Sequence, residues 1–134
     1  MIEKENENNY INNLENVVNN NYYEETRLER NRMYSEMLDT YQNLIDSAET
    51  PQDQKAIAIN EISNISKIKN GIMISENLIK NKGFEDVVIL VNDNNVSVVV
   101  KSYTLNQEQI SKIQNIVERE LKVEIKNINI SNKY

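Results

Sequence analysis

Apolar residues recur along the first half of the chain with helical spacing and along the second half with strand spacing. From Tyr22 to Ala48 there is no Gly or Pro, and Tyr34, Met37, Tyr41, Leu44 and Ala48 follow a 3-4-3-4 rhythm that predicts one stripe of an amphipathic helix, widened by Leu38 and Ile45. Charged Arg27, Glu29, Arg30 and Arg32 precede the stripe. Thr50-Pro51 predicts a boundary, because proline disfavours helical angles before it and fits the first turn after it. Thr50 is the expected N-cap, with Asp53 in the first turn near the positive end of the helix dipole. A second helix is expected from Pro51 to about Lys82, with Ala58, Ile62, Ile65, Ile72 and Ile79 on its apolar side, Ile68 beside them, and Gly83 as C′ residue. Gly71, in the middle, is expected to bend or divide it, since a helical Gly costs about 1 kcal/mol relative to Ala.

The period then changes. Phe84 to Val91 holds a β-branched run, Asn92-Asp93-Asn94-Asn95 is dense turn chemistry, and Val96, Val98 and Val100 alternate on one face of the segment that follows. A hairpin is predicted. Asn106 and Gln109 are spaced as a capping box for a third helix, whose apolar face is Ile110, Ile113, Ile116, Val117 and Leu121. Apolar parity shifts between Ile125 and Ile128, so the last strand is expected to begin after Lys126, with Ile128 and Ile130 on one face. The order from Ile72 is helix, strand, strand, helix, strand: an α+β domain with two helices covering one face of a three-stranded sheet. The predicted organisation is a flexible Asn-rich leader at 1–21, long amphipathic helices at 22–70, and a small α+β domain at 71–134.

Composition removes most chemistry. The 134 residues include no Cys and no His, so disulfides, thiol nucleophiles and the usual neutral-pH base and zinc ligand are all missing. Glu85, Asp86 and Asp93 are the only clustered carboxylates of the second half, at a strand start and a turn, and read as solvated acids. No catalytic residue, cofactor site or metal site is therefore expected. A net charge of −6 argues against nucleic acid, and Gly71 and Gly83 are too far apart for the Gly-x-x-Gly loop of a KH-type module. Charge is uneven: residues 1–50 carry 11 acids and 4 bases, residues 51–134 carry 10 and 11. The first 21 residues include nine Asn, a poor helix former. The longest apolar run, Val87–Val91, is far short of the ~20 residues of a membrane helix. A cytosolic protein and an ectodomain separated from an anchor are both compatible with this.

What remains is protein binding. A three-stranded sheet has two edges, each a row of backbone groups available for strand addition or protected against it. The side chains of Ile128 and Ile130, and the backbone of Val96–Ser102 with Val96, Val98 and Val100, are the candidates for pairing with a partner. Tyr34, Met37 and Tyr41 are the candidates for contact through a helix, although all could serve as core.

Several segments together resemble one family. They are Ile74-Ser-Glu-Asn-Leu-Ile-Lys-Asn-Lys-Gly-Phe-Glu-Asp-Val-Val-Ile-Leu-Val, the Asn-rich turn, Val96-Ser-Val-Val-Val-Lys, and Leu105-Asn-Gln-Glu-Gln-Ile. In this order they are similar to the ectodomain of stage III sporulation protein AH of endospore-forming Firmicutes, over residues 28–134, with a composition that points to a clostridial member. The resemblance implies a ring-building-motif fold like that of secretion-system proteins, and a mother-cell membrane anchor that this chain does not carry. It implies a place between mother cell and forespore, pairing with the stage II sporulation protein Q ectodomain, and assembly into a homo-oligomeric ring of a channel or zipper needed for engulfment. It implies no enzymatic activity. The competing reading is a helical adaptor unrelated to sporulation, which predicts that residues 22–82 alone bind the partner.

Overall fold

The computed structural model describes the backbone from Ile2 to Tyr134 and the side chains from Tyr22 onward. The expected 1–21 leader lies outside the residues described in full. Helices α1 (Ile2–Asp46) and α2 (Gln52–Lys80) form an antiparallel pair joined by a short turn. A hairpin follows, β1 (Val87–Asn92) and β2 (Asn95–Val100), then α3 (Gln107–Leu121), a 3-10 turn (Ile125–Asn127) and β3 (Ile128–Asn132). The sheet order is β1-β2-β3. β1 pairs antiparallel with β2, Val87 opposite Val100, and β3 pairs parallel with β2, Ile128 opposite Val96. A parallel neighbour requires a crossover, and α3 supplies it.

One core joins helices and sheet. Val87 and Ile89 of β1, Val96, Val98 and Val100 of β2, and Ile128 of β3 face Ile72 and Ile79 of α2 and Ile113, Ile116 and Val117 of α3. Tyr34 and Ile65 belong to the same cluster, so the long helices and the sheet share it.

Local expectations are met at several places. Asn106 accepts from the Gln109 backbone N–H at 2.8 Å while the Gln109 side chain accepts from the Asn106 N–H at 3.0 Å, a complete capping box. β3 begins at Ile128, as the parity shift requires. The hairpin turns through Asp93 and Asn94, with Asp93 at φ 55.

Three expectations are corrected. Thr50 does not cap α2: Pro51, with extended angles, is the N-cap, and no side chain bonds to the helix start. Gly71 does not divide α2, which runs unbroken through it. Instead Gly71 admits α3, because a Cβ there would stand 2.7 Å from Leu121 Cδ2 and 2.8 Å from the Glu120 carbonyl oxygen. The stripe of α1 is also rotated. Tyr34, Leu38 and Tyr41 pack on the core, while Met37 and Leu44 are more than a third exposed, because a 3.6-residue repeat carries the 34-37-41-44 line off the contact seam.

Candidate partner-binding edges

The two edges of the sheet are treated differently, and the backbone alternation shows how. Lys101 N–H donates to the Asp86 carbonyl, which makes 88, 90 and 92 the hydrogen-bonded partners of β2 and turns the N–H and C=O groups of Val87, Ile89 and Val91 outward. Four of these outward groups are closed by side chains. The Val87 N–H donates to Asp86 Oδ1 at 2.9 Å and its carbonyl accepts from Arg27 Nη1 at 3.2 Å. The Ile89 N–H donates to Glu76 Oε2 at 3.1 Å and its carbonyl accepts from Arg30 Nη1 at 2.9 Å. Arg30 and Glu76 are also paired with each other at 2.9 Å, with side chains only 8% and 11% exposed.

Arg27 grips Asp86 with two nitrogens, at 2.7 and 3.3 Å, and Lys80 stands 3.5 Å from the same carboxylate. Burial alone would raise the Asp86 pKa. The Arg27 hydrogen bonds, the Val87 N–H and the charges of Arg27 and Lys80 outweigh it and hold the carboxyl below the usual carboxylate range. Arg27 is raised in turn, chiefly by its bond to Asp86. Upstream on α1, buried Tyr23 donates its hydroxyl to the Lys133 carbonyl at 2.5 Å, across 110 residues, and burial pushes its pKa well up. Helix α1 therefore lies along β1 and is also tied to the end of β3.

β3 has no such cover among the described residues. Lys133 N–H donates to the Val100 carbonyl, so alternation turns 129, 131 and 133 toward β2 and leaves the N–H and C=O of Ile130 and Asn132 facing outward. Those outward groups have no hydrogen bond among the described residues. β2 lies between, with its backbone committed on both sides, so the expectation that the Val96–Ser102 backbone pairs with a partner is corrected. A strand followed by a crossover to a parallel neighbour becomes the middle of the sheet.

The candidate side chains sort in the same way. Val96, Val98, Val100, Ile128 and Tyr34 are buried in the core, and Ile130 and Tyr41 are half-buried against it. Met37 is exposed. Tyr34 has its hydroxyl pKa raised by burial, against the opposing charge of Arg30. Sequence reasoning left Arg27, Arg30 and Glu76 out of the candidates, and its reading of Asp86 as a solvated acid is corrected, since that carboxylate is largely buried against Arg27 and Lys80. Arg30 and Glu76 continue the apolar rhythms of their helices, four residues before Tyr34 and four after Ile72, and that was the available signal.

A groove of about 730 Å³ opens between α1 and α2 beside Arg30, lined by Asn31, Ser35, Lys69 and Met73 among others. It holds no paired nucleophile and base. Among the described residues no cluster of acids could hold a metal ion, and no helix is long and apolar enough to cross a membrane.

A family model described as SpoIIIAH-like protein matches residues 2–130. The chain belongs to the SpoIIIAH-like family. That membership assigns the chain to sporulation, in a family of structural-complex components rather than enzymes. Among solved structures, a chain titled "Structure of the SpoIIQ-SpoIIIAH pore forming complex" matches with a TM-score of 0.76 over 84% of this chain and 96% of that one. At 17% identity the likeness is one of fold. It bears out the α+β architecture of three helices and a three-stranded sheet. No curated protein matches the sequence.

Proposed function

We propose that this SpoIIIAH-like chain is a structural subunit of the complex between mother cell and forespore, and that it binds the SpoIIQ ectodomain by strand addition at the β3 edge. The observation that carries the reading is the asymmetry of the sheet: β1 is closed by side chains at Val87 and Ile89, β2 is internal, and β3 is left with outward backbone groups at Ile130 and Asn132 that no described side chain meets. Family membership and the fold shared with a chain from a SpoIIQ-SpoIIIAH complex support the partner. Met37, exposed beside half-buried Tyr41, is the proposed secondary contact on α1. In this reading a mother-cell membrane anchor precedes the ectodomain, the 71–134 segment works as a ring-building-like domain, and several copies close into a ring. Holding the partners on two facing membranes raises their effective concentration, so a modest affinity suffices.

The test is titration of this chain with purified SpoIIQ ectodomain by calorimetry, with light scattering after gel filtration, at two salt concentrations. A stoichiometric complex that survives removal of residues 1–21 is the expected result. No binding up to high micromolar concentration refutes the proposal. Full binding by residues 22–82 alone refutes the edge as the site and favours a helical adaptor.

A further inference from the structure

The helix pair runs on past the core. The core cluster takes in no residue of α2 before Ile65, and beyond it α1 and α2 continue to the turn that joins them. On this stretch a groove of about 210 Å³ opens between the two helices. It is lined by Tyr41 and Leu44 of α1 and by Gln54, Ile57 and Ala58 of α2. Ala58 is buried and Tyr41 half-buried, so the floor is apolar. Leu44 is 38% exposed and Ile57 61%. Single exposed apolar side chains are ordinary. Here one from each helix stands over the same apolar floor.

Charge accompanies the groove. Residues 36–61 carry six acids and one base, Lys55, so five of the six net negative charges of the chain lie on this stretch. On α2, Asp53 and Glu61 stand four residues before and four after Ile57, which puts both on its side of the helix. Neither carboxylate is in an ion pair among the described residues. The exposed acids Glu29 and Glu36 of α1, by contrast, are both paired with Arg32. Lys55 is two positions from Ile57, and residues so spaced do not share a helix face.

We infer that this groove docks a basic amphipathic helix of another protein, with an apolar side chain seated between Leu44 and Ile57 and a Lys or Arg about one turn to either side, facing Asp53 and Glu61. The chemistry of the occupant follows from the charge. A second copy would bring its own acids against these, and a polyanion would be repelled. Spacing adds to the match. Four residues of helix rise about 6 Å, so Asp53 and Glu61 stand about 12 Å apart along α2. A helix lying along the groove meets them with cations eight residues apart around a central apolar residue. The site uses neither edge of the sheet and does not include Met37, so it does not rest on the proposed binding of SpoIIQ.

The test is fluorescence anisotropy of the full chain with a labelled synthetic 17-residue alanine-based helix that carries a central Leu and a Lys four residues to each side. A second peptide has Glu in place of both Lys. Saturable one-to-one binding of the Lys peptide is expected, with the Glu peptide at least ~10-fold weaker. The double variant Leu44→Ser with Ile57→Ser, both at exposed positions, should weaken the Lys peptide at least ~10-fold. The double variant Asp53→Asn with Glu61→Gln should weaken it about 2- to 30-fold, as two surface ion pairs would, and should abolish its salt dependence. Circular dichroism confirms that each variant is folded. No saturable binding of the Lys peptide up to about 1 mM overturns the proposal. Equal binding of the two peptides overturns it, as does Lys-peptide binding that the Ser variant leaves unchanged. A wild-type mass that rises with concentration and falls in the Ser variant would give the groove to a second copy and overturn it too. A loss of SpoIIQ affinity in the Ser variant would give it to the SpoIIQ interface, with the same consequence, whereas loss of SpoIIQ binding in Ile130→Pro bears only on the earlier reading.

Discussion

Replacing Ile130 by proline separates the outer side of β3 from its inner side. The Ile130 N–H faces away from β2, so proline there removes no bond of the internal ladder, which is the one setting in which a strand tolerates it. The cost to folding is the half-buried side chain, about half of the ~1.5–3 kcal/mol that full burial of an isoleucine contributes, plus some strain in φ. A loss of about 1–2 kcal/mol follows, or roughly 4–8 °C in Tm for a chain of this size. The chain should stay folded, with its near-native circular dichroism retained at 25 °C. Strand addition should fail, because the partner's carbonyl loses its donor and meets the proline ring, which costs ~1–3 kcal/mol for the unmade bond, or about 5- to 150-fold in affinity. Calorimetry against the SpoIIQ ectodomain measures it. Ser131→Pro is the matching control: its N–H points into the ladder toward β2, so it should unfold the sheet where Ile130→Pro does not. A folded Ile130→Pro chain that binds with wild-type affinity refutes the β3 edge. Equal damage from the two prolines refutes the register argument beneath it.

Three further substitutions test the scaffold. Gly71→Ala should lower the urea midpoint, with overpacking against Leu121 and the Glu120 carbonyl costing ~1–3 kcal/mol and exceeding the ~1 kcal/mol gain in helix propensity; a higher midpoint would show that α3 yields freely. Ser75→Ala should raise Tm, because the Ser75 hydroxyl is fully buried with no hydrogen-bond partner among the described residues and such a group costs ~1–3 kcal/mol; a lower Tm would mean the hydroxyl is bonded after all. Asp86→Asn should destabilise by about 1–2 kcal/mol at neutral pH through its bonds to Arg27 and Val87. Because the folded pKa of Asp86 lies below the unfolded one, that contribution is complete above the ordinary Asp range and is lost as pH falls through the depressed value. The wild-type and Asn chains should therefore converge in acid, and a constant difference down to pH 2 would show that Asp86 is not held ionised.

The elements that the sequence disclosed are those set by local chemistry. The capping box at Asn106 and Gln109 needs four residues, the hairpin needs a turn between two β-branched runs, and the start of β3 follows from a parity shift within four positions. What stayed hidden depends on contacts far apart in the chain. Arg30 meets Glu76 and Ile89 across 46 and 59 residues, and nothing local distinguishes it from solvated Arg32, whose partners Glu29 and Glu36 are exposed. Gly71 read as a weak point because propensity is local, whereas its reason is the backbone of α3 about 50 positions later. The alternation of Val96, Val98 and Val100 does not say whether β2 is an edge, because strand order is not written in any one strand. The helix between β2 and β3 held the answer, since a parallel neighbour joined by a crossover leaves the hairpin strand in the middle.

The open β3 edge is also a hazard that the chain limits by other means. An edge with unpaired backbone groups invites indiscriminate pairing, and proteins usually blunt it with proline, charge or cover. β3 contains none of these within 128–132, but it is only five residues long, its outer positions Asn129, Ser131 and Asn132 are polar and exposed, and Lys126 and Lys133 flank it. A net charge of −6 adds mutual repulsion between copies in solution. Those features weaken chance encounters without blocking the backbone, which is what a site for strand addition requires. At β1 the opposite choice was made: two ion pairs and four side-chain bonds close the backbone of Val87 and Ile89 at the cost of burying charge. If both edges were merely being protected from aggregation, the short polar solution used at β3 would serve at β1. The costlier closure does something the short polar one cannot: through Arg30 of α1 and Glu76 of α2 it ties both long helices to the backbone of Ile89 and so fixes the sheet against them.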